Sequence, residues 1–468
     1  MALSRSARLA ALTVAAASFT LIAAAPAPTP GAPGIGDTYF PLLGNGGYDA
    51  RHYSLDVAYD LETDRLDGRT TLTARATQSL SSFHLDLQKL TVTKIEVDGR
   101  RADFTRTGDE ISITPRDAIR DHQTFEVTVT YHGIPEPLNG PIVFGSDYGW
   151  MKTPDGVFVA CEPNAASTWF PSSDHPADKA TYDIRIKAPK GLTGVSNGRL
   201  VATYDTKDNQ TVHHWRESKP MATYLATASI GKFDVRTGRT PAGIPLYVAI
   251  DPVLANGNTV DVYAVTAEAT DYWSQVFGPY PFEETGAVVD DMPQAGFSLE
   301  TQTKPSYSAV RSEATIVHEL AHQWFGDSVS VERWKHIWLN EGFATYAQWL
   351  WSEHKGVRSA HDSFQAAYDA RPADSAFWDI VVADPQRDTM FASAVYQRGA
   401  MTLQQLRESI GDKAFFKLLP AWVKQNRYAN ATTDDFKKLA EKIGGKNLDA
   451  LFDTWLYRPE KPVLQAAR

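Results

Sequence analysis

Cysteine is almost missing from this chain: its 468 residues include one, Cys161. A single thiol excludes any intrachain disulfide, so packing, with or without a bound metal, must hold the fold. Positive charge is also in deficit. The 46 Lys and Arg against 56 Asp and Glu give a formal charge of −10, a balance that argues against nucleic acid or an anionic membrane as partner. After residue 25 no apolar run is long enough to cross a bilayer. Internal repeats and low-complexity stretches are likewise absent beyond the leader, which excludes solenoid and collagen-like architectures.

Hydrophobic residues make up 43% and aromatics 11% of the chain, enough for a well-filled interior. The length exceeds one ordinary core and predicts two domains. The N-terminus has the layout of a secretory signal peptide, residues 1–27: Arg5 and Arg8 precede an apolar run from Leu9 to Ala25 that ends in small residues. Removing it takes away two Arg and no acid, so the mature charge is 44 − 56 = −12. This reading places the protein outside the cell or at the envelope, with no stable membrane insertion after cleavage. Residues 28–45, opening on a Pro- and Gly-rich stretch, are expected to be a flexible leader.

From Tyr48 to Val235 the apolar pattern has period two. Tyr53, Leu55, Val57 and Tyr59 alternate with polar residues, as do Phe83, Leu85 and Leu87, then Phe125, Val127, Val129 and Tyr131. Such alternation predicts a largely antiparallel β domain over residues 46–237. After Gly238 the texture becomes helical. Val262, Val265, Ala269, Tyr272 and Val276 have the spacing of one helix face, and helices are expected over Ser312–Phe325 and Glu341–His354, with two more between Thr433 and Tyr457. The class is therefore α+β, with a mainly helical second domain over residues 238–468.

The strongest chemical signal is His318-Glu319-Leu320-Ala321-His322, followed nineteen residues later by Glu341. On a helix, positions i and i+4 share a face, so both imidazoles can chelate one ion. A chain turned back at Gly326 can return Glu341 as third ligand. Three protein ligands leave a fourth position open, as catalytic zinc sites do. Imidazole with one carboxylate suits Zn2+, one per chain. Glu319 is then placed to take a proton from an attacking water, which points to amide hydrolysis without a covalent enzyme intermediate. With 12 His in the chain, a chance H-E-x-x-H arises on the order of once in a hundred such sequences. The other histidines, including His175, His213, His214, His336 and His354, carry no such constellation.

The segment from Val317 through HELAHQWFGD to Ser328, with WLNEGFATY from Trp338 to Tyr346, resembles the M1 metallo-aminopeptidases of the gluzincin group (HExxH-x18-E), in a short, secreted, bacterial-type form. Pro171–Ala180 resembles a family segment near the end of the β domain, Tyr396–Ala400 the family's Tyr-x-Lys-Gly element, and FDTWLYRPEKPVL the end of its catalytic domain. The resemblance implies a saddle-shaped antiparallel β domain followed by a thermolysin-like catalytic domain. It further implies that Glu300 and Glu162 bind the substrate's α-amine, and that Tyr396 hydrogen-bonds the developing oxyanion. Substrates would be peptides with a free N-terminus. The chain departs from the family's Gly-x-Met-Glu-Asn at Phe297, Leu299 and Thr301, and Gly296, one residue earlier, can serve by a shift of register. Three rivals remain at this level: a thermolysin-like endopeptidase needing no amine anchor, a catalytically silent peptide-binding module, and a family offshoot that hydrolyses an epoxide lipid, for which no specific feature speaks. Retention of Glu319 with all three ligands argues against the second.

Overall fold

Alternation in the first half becomes strands with one buried face. In the computed structural model, which describes residues 27–464 except 144, 256–258 and 293, Tyr53, Leu55, Val57, Tyr59, Phe125, Val127, Val129 and Tyr131 are all buried. The expected signal segment, residues 1–27, lies outside the described residues except for residue 27. An eight-stranded sheet forms the body of the first domain, in the order Arg199–Asp205, Gln210–Ala222, Lys179–Pro189, Tyr48–Asp60, Arg65–Ala76, Thr124–Gly133, Thr91–Val97 and Arg100–Arg101. It is antiparallel apart from one parallel pair, Lys179–Pro189 with Tyr48–Asp60. A four-stranded and a five-stranded sheet pack with it.

Strand pairing runs across the expected boundary at Gly238. Strand Asp234–Arg239 already pairs with Pro245–Ile250 and so belongs to the second domain's sheet, in the order Asp234–Arg239, Pro245–Ile250, Thr285–Val289, Ser306–Tyr307 and Ser298–Leu299. Helices follow: α1 (Val262–Val276), α2 (Glu313–Ala321), α3 (Trp338–His354), α4 (Ala360–Asp369), α5 (Ser393–Ile410), α6 (Asp412–Gln425) and α7 (Thr433–Gly444). Helix α1 buries Val262, Thr266, Ala269, Thr270 and Trp273, so its inward face is rotated from the expected stripe and Val265, Tyr272 and Val276 are only partly covered. Among the described residues no helix is long and apolar enough to cross a membrane.

Residues 28–45 correct the expectation of a flexible leader. Thr29–Pro30 adds a strand beside Leu80–Asp86. Asp37 is buried, accepting from Trp334 N at 2.9 Å and contacting His175 Nε2 at 3.0 Å, and Tyr39 Oη donates to Asp384 at 2.6 Å. Composition marks this stretch as linker-like; its long-range polar partners are what order it.

Candidate active site

Helix α2 starts where a cap is available: Ser312 Oγ accepts from Thr315 N at 3.2 Å, satisfying a donor that the first turn leaves free. Its regular part ends at Ala321, four residues before the expected Phe325, and His322 already sits at the C-cap. The chain then tightens, with Gln323 N bonding Leu320 O and Trp324 N bonding Ala321 O, before Gly326 turns it back at φ +134°. Helix α3 begins three residues before Glu341, placing that carboxylate inside the first turn rather than at its opening. Trp351 Nε1 donates to Glu313 at 2.7 Å and ties the two helices together. Lys179, from the first domain, caps the turn after α2 by donating to the carbonyls of Asp327 (2.6 Å) and Ser328 (3.1 Å). Burial pushes that lysine down to about 7, a range in which it still donates in either protonation state.

These elements bring His318, His322 and Glu341 together as the motif predicts. Glu341 Oε2 lies 3.2 Å from His318 Nε2 and 3.5 Å from His322 Nε2, and one ligand atom from each residue falls within 4.8 Å of the others. His322 Nδ1 is 3.0 Å from Phe325 O. An N–H donated to that carbonyl leaves the Nε2 lone pair directed at the cluster, the tautomer a metal ligand requires. Two imidazoles and a carboxylate are donors of the type zinc takes. The local charge fits as well. Glu162, Glu300, Glu319 and Glu341 converge on this place; burial pushes the first three above the usual carboxyl range, and their mutual repulsion adds to it. Burial also acts upward on Glu341, but the His322 charge and the bonds from both histidines outweigh it and hold that carboxyl down to about 2. A dication offsets the accumulated negative charge.

Glu319 and Glu300 each bring a ligand-type atom within 4.8 Å of His322. The Tyr396 ring is nearly parallel to that of His318, with centroids 6.0 Å apart. Tyr396 reaches this point because α3 and α5 touch at two glycines. A Cβ on Gly342 would sit 2.9 Å from Gly399 Cα, so any side chain there forces the helices apart. Arg398, fully buried, anchors the same turn of α5 by donating to the carbonyls of Trp378 (3.1 Å), Thr454 (3.0 Å) and Arg458 (2.6 Å). Glu162 follows the buried Cys161, whose thiol burial pushes up and renders inert. Glu162 and Tyr396 line a cavity of about 230 Å³ with Ala295, Gly296, Phe297, Leu299 and Phe391. Thus Gly296 and Phe297, where the chain departs from the family pattern, both form the wall. Gly296 adopts φ +73°, a conformation favouring glycine.

Sequence reasoning misses Gln323, Tyr224 and Arg311. Gln323 Nε2 donates to Glu300 O at 3.1 Å while its Oε1 accepts from Thr303 N at 2.7 Å. Tyr224 Oη approaches Glu300 Oε1 at 3.5 Å. Arg311 donates to Phe297 O at 3.1 Å and its charge acts on Glu319. Only Gln323, a polar residue inside the apolar end of the metal motif, carries any signal in sequence.

Comparison with known proteins matches this arrangement. The family model described as Peptidase M1 N-terminal domain matches residues 49–225, and that described as Peptidase family M1 domain matches residues 292–455. Aminopeptidase A of Gloydius brevicauda is 26% identical over 455 residues, covering 88% of this chain and 47% of that protein. The chain thus spans about half the length of this relative. The crystal structure of an M1 zinc metallopeptidase from Deinococcus radiodurans superimposes with a TM-score of 0.84 at 27% identity, covering 93% of this chain and 99% of that one. A mutant of the Deinococcus protein bound to a Tyr-Ser-Ala substrate gives the same TM-score and identity, over 92% of this chain and 98% of that one.

Proposed function

Since this chain belongs to peptidase family M1, with zinc as its metal, we propose that it is an aminopeptidase releasing N-terminal residues from peptides. The observation that carries this reading is the convergence of the buried Glu300 and the half-buried Glu162 on a cluster that already holds the metal-ligand triad and a further acid, Glu319. Acids at the site beyond the general base suit an exopeptidase, which must recognise a terminal ammonium that neutralises their charge on binding.

His318, His322 and Glu341 hold the zinc, which when bound supplies Lewis acidity to the scissile carbonyl and to water. Glu319 takes the proton of the attacking water, and burial, by raising its proton affinity, suits it to hold that proton and deliver it to the leaving amine. Tyr396 donates its phenol to the oxygen on which negative charge develops. Glu300 and Glu162 fix the α-ammonium, and the first side chain enters the cavity walled by Ala295, Phe297, Leu299 and Phe391. That lining favours apolar residues. Peptides with a free N-terminus are the substrates, in keeping with the Tyr-Ser-Ala complex of the Deinococcus protein. The basic, apolar and small-residue segments of residues 1–27 direct export; N-terminal sequencing of protein recovered from the medium or envelope checks this.

The test is hydrolysis of an amino-acid arylamide panel, each compound with a free and an acetylated α-amine, with and without a zinc chelator. Chelator-sensitive cleavage confined to the free-amine set is expected. Equal cleavage of acetylated compounds would replace the reading with an endopeptidase.

A further inference from the structure

A second group of acids lies outside the active site, on the seam between the domains. Asp251 follows strand Pro245–Ile250 and Asp290 follows Thr285–Val289; the strands are parallel, with Ile250 opposite Val289, so both acids leave at the same carboxyl-terminal edge. Asp155, from the hairpin turn between Asp147–Lys152 and Val157–Ala160 in the first domain, meets them. One carboxylate oxygen from each of the three lies within 4.8 Å of the others. That is the greatest separation two oxygens on one Ca2+ can have at about 2.4 Å each.

Proximity of acids alone proves little, and a separate observation points to a ligand. Asp290 is 1% exposed, its Oδ1 is taken by Asp291 N at 2.9 Å, and its Oδ2 has no hydrogen-bond partner among the described residues. No Lys, Arg or His forms an ion pair with Asp155, Asp251, Asp290 or the adjoining Asp291 among the described residues. A buried carboxylate oxygen with neither donor nor cation is costly, and three oxygen donors without nitrogen or sulfur select a hard ion. We propose that Asp155, Asp251 and Asp290 bind one hard divalent cation, Ca2+ or Mg2+, that clasps the first domain's hairpin to the catalytic sheet.

The position gives the clasp a consequence. Asp290 opens the segment that runs through Met292, Ala295 and Phe297 to Glu300, and the apolar members of that segment pack on Met151 and Phe158, which flank the same hairpin. An ion at Asp290 fixes the start of the wall of the substrate cavity while Asp155 fixes its support.

Calorimetric titration of the zinc-loaded, full-length protein with CaCl2 and separately MgCl2, with zinc content measured alongside, tests the proposal. Expected is one added ion per chain with Kd on the order of 1 mM or tighter, a rise in Tm of about 5 °C near saturation, and unchanged zinc. Asp290→Asn should weaken binding roughly tenfold or more, as should Asp155→Asn, which lies on a half-buried turn and does not depend on a core substitution being tolerated. Failure of both ions to bind, or both variants binding like the parent, overturns it and leaves a shared proton as the occupant. The binding measurements are independent of the proposed activity. A fall in KM for free-amine arylamides on adding the ion rests on that activity and tests only the link to the cavity.

Discussion

The side chain of Gln323 ties the end of α2 to the segment that carries Glu300: its Nε2 donates to the Glu300 carbonyl oxygen at 3.1 Å. Gln323 follows His322 directly and so holds the segment bearing Glu300, the proposed amine anchor. Gln323→Ala is expected to raise KM for free-amine substrates about tenfold with zinc content unchanged, and Glu300→Ala to raise it further. A Gln323→Ala enzyme with parental KM would show that Glu300 is positioned by Tyr224 and the backbone alone.

Glu319 is buried beside His322, and glutamine matches its size and shape, so Glu319→Gln should preserve structure and zinc. Loss of the general base should lower kcat by about 10²–10⁴-fold. Metal analysis and single-turnover kinetics on the same preparation separate this from loss of metal; activity near the parent value would remove Glu319 from the proton transfer.

Tyr396 stacks on His318, ring centroids 6.0 Å apart. Tyr396→Phe keeps the ring and deletes only the donor. Because the bond is strongest in the transition state, kcat should fall by roughly 10²–10³-fold with little change in KM. An effect confined to KM would assign the phenol to substrate binding.

His318 and His322 were legible together because helical period puts them on one face, and Glu341 because it stands nineteen residues later, after a turn at Gly326 that leads into a second helix. Alternation around Tyr53–Tyr59 and Phe125–Tyr131 likewise announced the β domain. Glu300, Glu162 and Tyr396 have no such local signature: each arrives from a different element, and resemblance to a family was the only route to them. Gln323, Tyr224 and Arg311 were missed because their roles exist only once distant segments meet. The end of α2 was misplaced for a related reason, since the tight turns after Ala321 retain apolar residues at helical spacing. Asp37 and Tyr39 show the converse error, where Pro and Gly around them masked two side chains with fixed partners.

Those partners make the stretch that reads as a leader a structural element with a measurable contribution. Asp37 accepts from Tyr39 N at 2.7 Å and Trp334 N at 2.9 Å, besides its contact with His175. Burial acts to raise its carboxyl, but the bonds from His175, Trp334 and Tyr39 prevail and bring it to about 2. A carboxyl whose folded value is depressed contributes stability that is present above its unfolded value near 4 and is lost as pH falls toward 2. Trp334 in turn packs edge-on against Tyr224, ring centroids 5.4 Å apart, and Tyr224 adjoins Glu300. Asp37→Ala should cost about 2–4 kcal/mol at neutral pH, read by denaturant unfolding, and the difference from the parent should shrink on acidification below pH 4. A variant as stable as the parent at pH 7 would show that the segment merely rests on the protein; one destabilised by the same amount at pH 3 as at pH 7 would assign the loss to packing instead of charge.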